Sequence, residues 1–151
     1  MYYREEIIPF KGTESIQLYQ TIDVVKATLD KYQAGYTIEL WESASETVPN
    51  PWKVIVVEGV LSLFFARNDK LFKIVVWDNF AGSLPNGITT NMSISDAQKI
   101  DPTLIYNDWN EDYESDEGYW VEDDVETNKI MSISIFIREV LDEDTFDYCE
   151  W

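Results

Sequence analysis

Two stretches of this chain line up without a gap: EGVLSLFFARNDKLFKIVVW, residues 58–77, falls on EGYWVEDDVETNKIMSISIF, residues 117–136, at a shift of 59. Glu58-Gly59 meets Glu117-Gly118, Lys70 meets Lys129, Ile74 meets Ile133 and Trp77 meets Phe136. The second half of each stretch alternates, which is the mark of a strand with one face in a core. On that reading Phe72, Ile74 and Val76 share one face, and Met131, Ile133, Ile135 and Ile137 share the matching one. Ser132 and Ser134 fall on the opposite side, which is expected to be half-wet.

The match continues upstream with a different offset. Thr21 and Ser93 or Ser95 stand as helix N-caps ahead of an acid, and Asp23 and Lys26 meet Asp96 and Lys99 at a shift of 73. The 14 extra residues of the first copy are assigned to ESASETVPNPWKV, residues 42–54, whose Ser, Pro and Asn content reads as a loop. The expectation is a single α+β domain over residues 1–151 with a largely antiparallel sheet. It would be built from two pseudo-repeated units, about 14–77 and 87–137, joined by the turn-rich linker 78–86. Each unit is read as a short strand, a helix and about three strands.

A chain of 151 residues that is 45% hydrophobic and 15% aromatic is long and apolar enough for one core. Its net charge of −18 is the anomaly, and it is unevenly spread: residues 1–107 carry −4 and residues 108–151 carry −14. So much self-repulsion exceeds what solubility needs, and a cationic partner would explain it. Nucleic acid and anionic membrane are excluded as partners because both would be repelled. The opening MYYREEIIPFKG lacks the cationic and apolar regions of a signal peptide, so the chain is read as cytoplasmic. Cys149, the single cysteine, fits a reducing compartment and has no histidine to activate it.

The charge concentrates in NDWNEDYESDEGYWVEDDVE, Asn107 to Glu126, with ten carboxylates, no cation and four large rings. Asp108, Asn110, Asp112, Glu114 and Asp116 follow the alternate-residue rhythm of a calcium loop, but Tyr113 stands where that loop needs glycine and Tyr119 where it needs glutamate. An acid/base site uses a few partly buried carboxylates, not ten, and the chain has no histidine, phosphate loop or nucleophile motif. No catalytic residue, metal or cofactor is therefore assigned. A surface for a basic protein uses all the features, since carboxylates steer encounter and rings anchor the complex. The candidate partner-binding residues are Asp108, Trp109, Glu111, Asp112, Tyr113, Glu114, Asp116, Glu117, Trp120, Glu122, Asp123 and Asp124. Alternation in GYWVED turns Tyr119 and Val121 one way and Trp120 and Glu122 the other.

GITTNMSISDAQKIDPTLIYNDW followed by EGYWVEDDVETNKIMSISIFI resembles a pattern of small immunity proteins from bacterial polymorphic toxin systems, including contact-dependent inhibition systems. The resemblance covers mainly the C-terminal half. It implies a cytosolic, acidic, non-enzymatic protein that binds and neutralises a cognate toxin domain, often a nuclease. Two alternatives stay open: a nucleic-acid mimic that inhibits a DNA-binding protein, and a calcium-binding or carboxylate-using enzyme domain.

Overall fold

The computed structural model describes residues 1–41, 52–142, 146 and 149–151, and the expected loop at 42–51 lies outside them. The chain forms a single α+β domain. Helix α1 (Ile22–Lys31) precedes β1 (Thr37–Trp41), β2 (Trp52–Val57), β3 (Leu61–Phe65) and β4 (Leu71–Val76). Helix α2 (Ile94–Ile100) precedes β5 (Ile105–Asn107), β6 (Asp112–Glu114), β7 (Tyr119–Asp124) and β8 (Lys129–Phe136). All eight strands join one antiparallel sheet in the order β1-β2-β3-β4-β8-β7-β6-β5, so the last strand of each group meets the other at the centre.

Local chemistry accounts for these elements. The strands are runs of Val, Ile, Leu and aromatic residues, which suit a pleated surface. Ser93 caps α2 by accepting the Asp96 amide at 3.1 Å, whereas Thr21 begins α1 without a side-chain cap bond. Between β6 and β7, Gly118 has φ +94 and lies under the Phe10 ring, so a side chain there would meet both backbone strain and that ring.

One face of the sheet holds the main core. Its cross-strand rows are Leu63–Ile74–Ile135–Tyr119 and Leu61–Val76–Ile133–Val121–Tyr113. Ile22, Val25 and Leu29 of α1 and Ile94 and Ala97 of α2 bury into the same cluster, with Ile7, Ile16 and Leu18 from the N-terminal segment. The other face carries Ser62–Val75–Ser134–Trp120–Glu114 and Phe64–Lys73–Phe136.

Several sequence expectations change here. Each helix is followed by four strands rather than three, and the expected strand before it is reduced to isolated bridges, Thr21 with Lys70 and Ser93 with Lys129. Those bridges align the helix starts at a shift of 72, not 73. Trp52, Lys53 and Val54, expected in a loop, open β2. Ser132 and Ser134 are buried rather than half-wet, because large rings lie on their side of the sheet. A bulge in β8 leaves Met131 without a partner between Ile130 and Ser132, which turns Met131 outward and puts Ile130 in the core. A bulge at the matching place in β4 sets Phe72 aside, and its ring packs on Trp52 at 5.0 Å.

Candidate functional site

The acidic stretch is held by a buried carboxylate outside it. Asp101, at the end of α2, accepts hydrogen bonds from the Tyr119 hydroxyl at 2.5 Å, the Ser115 hydroxyl at 2.5 Å, and the Thr103 hydroxyl and amide at 2.6 and 3.0 Å. Burial alone would raise its pKa, but these donors from Ser115, Thr103 and Tyr119 outweigh it and hold the carboxyl below its ordinary value. The same contacts tie the start of β7 to the loop before β5. The outer half of the sheet is thereby fixed to the helix.

Folding the stretch into β5, β6 and β7 distributes its charges, because successive hairpin turns alternate between the two ends of a sheet. Asp108, Trp109 and Glu111 sit in the β5–β6 turn, at the same end as Asp123, Asp124 and Glu126, while Asp116 and Glu117 occupy the opposite end beside Gly118. Trp109 is 92% exposed. Its turn is shaped by the Asn107 carboxamide, which accepts the Trp109 and Asn110 amides at 2.9 and 3.2 Å. Ile105 and Tyr106 of the free edge strand β5 are also exposed, and the Tyr106 ring packs on Tyr113 at 5.1 Å. The twenty-residue run is therefore not one face: an acid-rimmed tip around Trp109 is separated from a second, smaller acidic end. Tyr119 and Val121 face the core and Trp120 and Glu122 the opposite side, as the alternation predicts.

Asp112 departs most from its expected place at a partner surface. It is buried, and its Oδ1 has no hydrogen-bond partner. Burial, then Glu114 and Glu122 close by, push the carboxyl up to about 7 against the opposing pull of Lys73. Between its ordinary 3.8 and about 7 the folded chain holds this proton and the unfolded chain releases it, so this group's contribution lowers stability as pH rises through that window. Asp112→Asn has no proton to lose. Its melting temperature relative to wild type should climb between about pH 4 and pH 7.5. A constant difference across that range would show that Asp112 titrates normally.

The second face of the sheet holds a groove of about 380 Å³. Trp41, Trp52, Trp77 and Trp120 wall it, together with Phe64, Phe72 and Phe146, and Lys73, Ser134 and Glu122 supply its polar groups. The Lys73 ammonium lies 5.3 Å from the Phe64 ring centre and 5.7 Å from that of Trp120. Burial pushes the amine down, and Glu122 and Asp112 oppose that shift. Among the described residues no three His, Cys, Asp or Glu side chains come together to hold a metal ion, and no helix is long and apolar enough to cross a membrane.

Comparison with protein-family models, curated proteins and solved structures yields no match. The groove, Lys73 and Asp101 are the features that sequence reading missed. Alternation in LFKIVVW does place Lys73, Val75 and Trp77 on one side of β4, and a lysine between apolar residues on a central strand was the available signal. The convergence of Trp41 and Trp52 on that side depends on long-range pairing, which no local pattern reveals.

Proposed function

We propose that this chain is a non-enzymatic binding protein that neutralises a basic protein domain, as immunity proteins do for toxins, with a nuclease as the favoured target class. The observation that carries the reading is Trp109, almost wholly exposed at a hairpin tip between Asp108 and Glu111. A large ring held in water by an ordered turn and rimmed with carboxylates has the make-up of an interface anchor. Exposed Ile105 and Tyr106 extend the apolar contact along β5. Asp123, Asp124 and Glu126 at the same end add charge that would steer a cationic surface and cover the phosphate path of a nuclease. The reading places the chain in the cytoplasm, where a producer needs its protection.

The two halves are read as copies of one unit. Support comes from the exchange symmetry of the central pair, Ile74 with Ile135 and Val76 with Ile133, from the equivalent helix-start bridges, and from the matching bulges in β4 and β8. On this reading the outer strands of the second copy have diverged from apolar to acidic, and that divergence marks the partner surface.

Capture from a lysate of the native host tests the function. Wild type should retain a basic protein at low salt and release it at high salt, since exposed charges are screened beyond a Debye length of about 10 Å at 0.1 M. Trp109→Ala should speed dissociation, with a loss of about 2 kcal/mol, and Asp108→Lys with Glu111→Lys should slow association. Capture of a DNA-binding protein in place of a toxin would favour the nucleic-acid-mimic alternative. Retention that ignores both sets of substitutions would move the interface away from this tip.

A further inference from the structure

The groove on the second face is rich in hydrogen-bond donors and poor in acceptors. Among the described residues the Lys73 ammonium has no carboxylate within ion-pair distance, and it lies against the rings of Phe64 and Trp120. Nor, among the described residues, do the Ser134 hydroxyl and the indole N–H groups of Trp52 and Trp120 have a hydrogen-bond acceptor. By contrast the Trp41 indole donates to Glu39 at 3.0 Å and that of Trp77 to Ser62 at 3.0 Å. Among the described residues Glu122 is the one carboxylate on the groove's wall. A lysine partly withdrawn from water, with Glu122 and Asp112 acting on it only from beyond ion-pair distance, costs the free protein stability, and such a cost is commonly kept where a ligand supplies a closer charge. The walls add their own demand. Four tryptophans and three phenylalanines present flat faces and edges, which favour a planar apolar body over a flexible polar one.

We propose that this groove binds a small aromatic monocarboxylate, its ring between the tryptophans and its carboxylate against the Lys73 ammonium and the Ser134 hydroxyl. One negative charge fits and two do not, because Glu122 would repel a second. The site is separate from the Trp109 tip: its lining runs across the second face from β1 to β4 and on to β8 and β7, takes no residue from β5, β6 or the turn between them, and needs no protein partner.

Three probes of one shape decide the matter: 1-naphthoate, the uncharged 1-naphthalenemethanol and the cationic 1-naphthalenemethylamine. Binding is followed through the indole N–H resonances of the six tryptophans. Naphthoate should shift the resonances of Trp41, Trp52, Trp77 and Trp120 and leave that of Trp109 in place. It should bind about tenfold or more tightly than the alcohol, and the amine should bind weakest, as expected for one charge-assisted hydrogen bond. Lys73→Met should remove the preference for naphthoate over the alcohol and should raise the melting temperature of the free protein. Lys73→Arg keeps the charge, and should keep the preference if the methionine variant fails to fold. Trp109→Ala should bind naphthoate as wild type does, which separates this site from the partner surface. Equal or tighter binding of the amine, naphthoate affinity unmoved by Lys73→Met, or no shift of the groove tryptophans at millimolar naphthoate would each overturn the proposal.

Discussion

Ile133→Asp should leave the chain largely unfolded at room temperature, whereas Met131→Asp, earlier on the same strand, should leave its melting temperature nearly unchanged. Ile133 is fully buried in central strand β8, between Val76 on one side and Val121 on the other. A carboxylate there would have no cation and no water, and must either stay charged in the core or take up a proton. The cost is about 4 kcal/mol or more, a large share of the roughly 5–15 kcal/mol that holds a domain of this size together. Ile133→Val, which only deletes a methyl group, should cost about 1 kcal/mol. Met131 is 40% exposed because the bulge turns it out of the alternation. Urea unfolding of the three variants gives the answer. Comparable losses at positions 131 and 133 would mean that the strand continues its alternation through residue 131 and that the bulge is absent.

That contrast shows how far the sequence could be read. Alternation identified β4 and β8 and most of their buried residues, because a strand with one face in a core must place apolar side chains at every second position. The bulges reverse that phase locally, and a bulge is set by pairing with a neighbour that lies elsewhere in the chain. By the same cause Met131, expected in the core, is exposed, while Phe72 is buried as expected but on the groove side rather than with Ile74 and Val76. The strand pattern of the second half escapes the sequence for a related reason: β5 and β6 are three residues each, too short to show a period, and they owe their extended form to pairing with each other and, for β6, with β7. At the candidate site, composition found the acidic rings but not their separation, since hairpin turns divide a contiguous run between two ends of a sheet. Trp109 and Asp112 are three residues apart, and one is at the tip in water while the other is buried beside Glu122. Charge density along a sequence is not charge density on a surface.

Asp101→Ala should cost about 3 kcal/mol, because it leaves the hydroxyls of Tyr119, Ser115 and Thr103 short of their acceptor in a buried place. Tyr119→Phe removes only one of these bonds and should cost about 1 kcal/mol. In the double variant the losses should fall short of their sum, since Tyr119 and Asp101 bond each other directly. The pH dependence carries a further signature. The Asp101 carboxyl is held below its ordinary 3.8, so the folded chain gives up this proton more readily than the unfolded chain. Its contribution is fully present above that value and is lost as pH falls. The difference between Asp101→Ala and wild type should therefore shrink in acid, the reverse of Asp112→Asn, whose advantage grows toward neutral pH. The two carboxyls pull the stability profile down from opposite sides, one in acid and one above it, and each variant should flatten its own flank. Urea midpoints of wild type and both variants between about pH 3 and pH 8 separate the contributions. If Asp101→Ala lost the same stability at every pH, the hydroxyl network would be acting through packing alone and not through the carboxylate's charge. A loss confined to the neutral side would instead tie the anchoring of the acidic hairpin to an ionised Asp101, and acid would then loosen the β6–β7 turn around Ser115 before it unfolds the core.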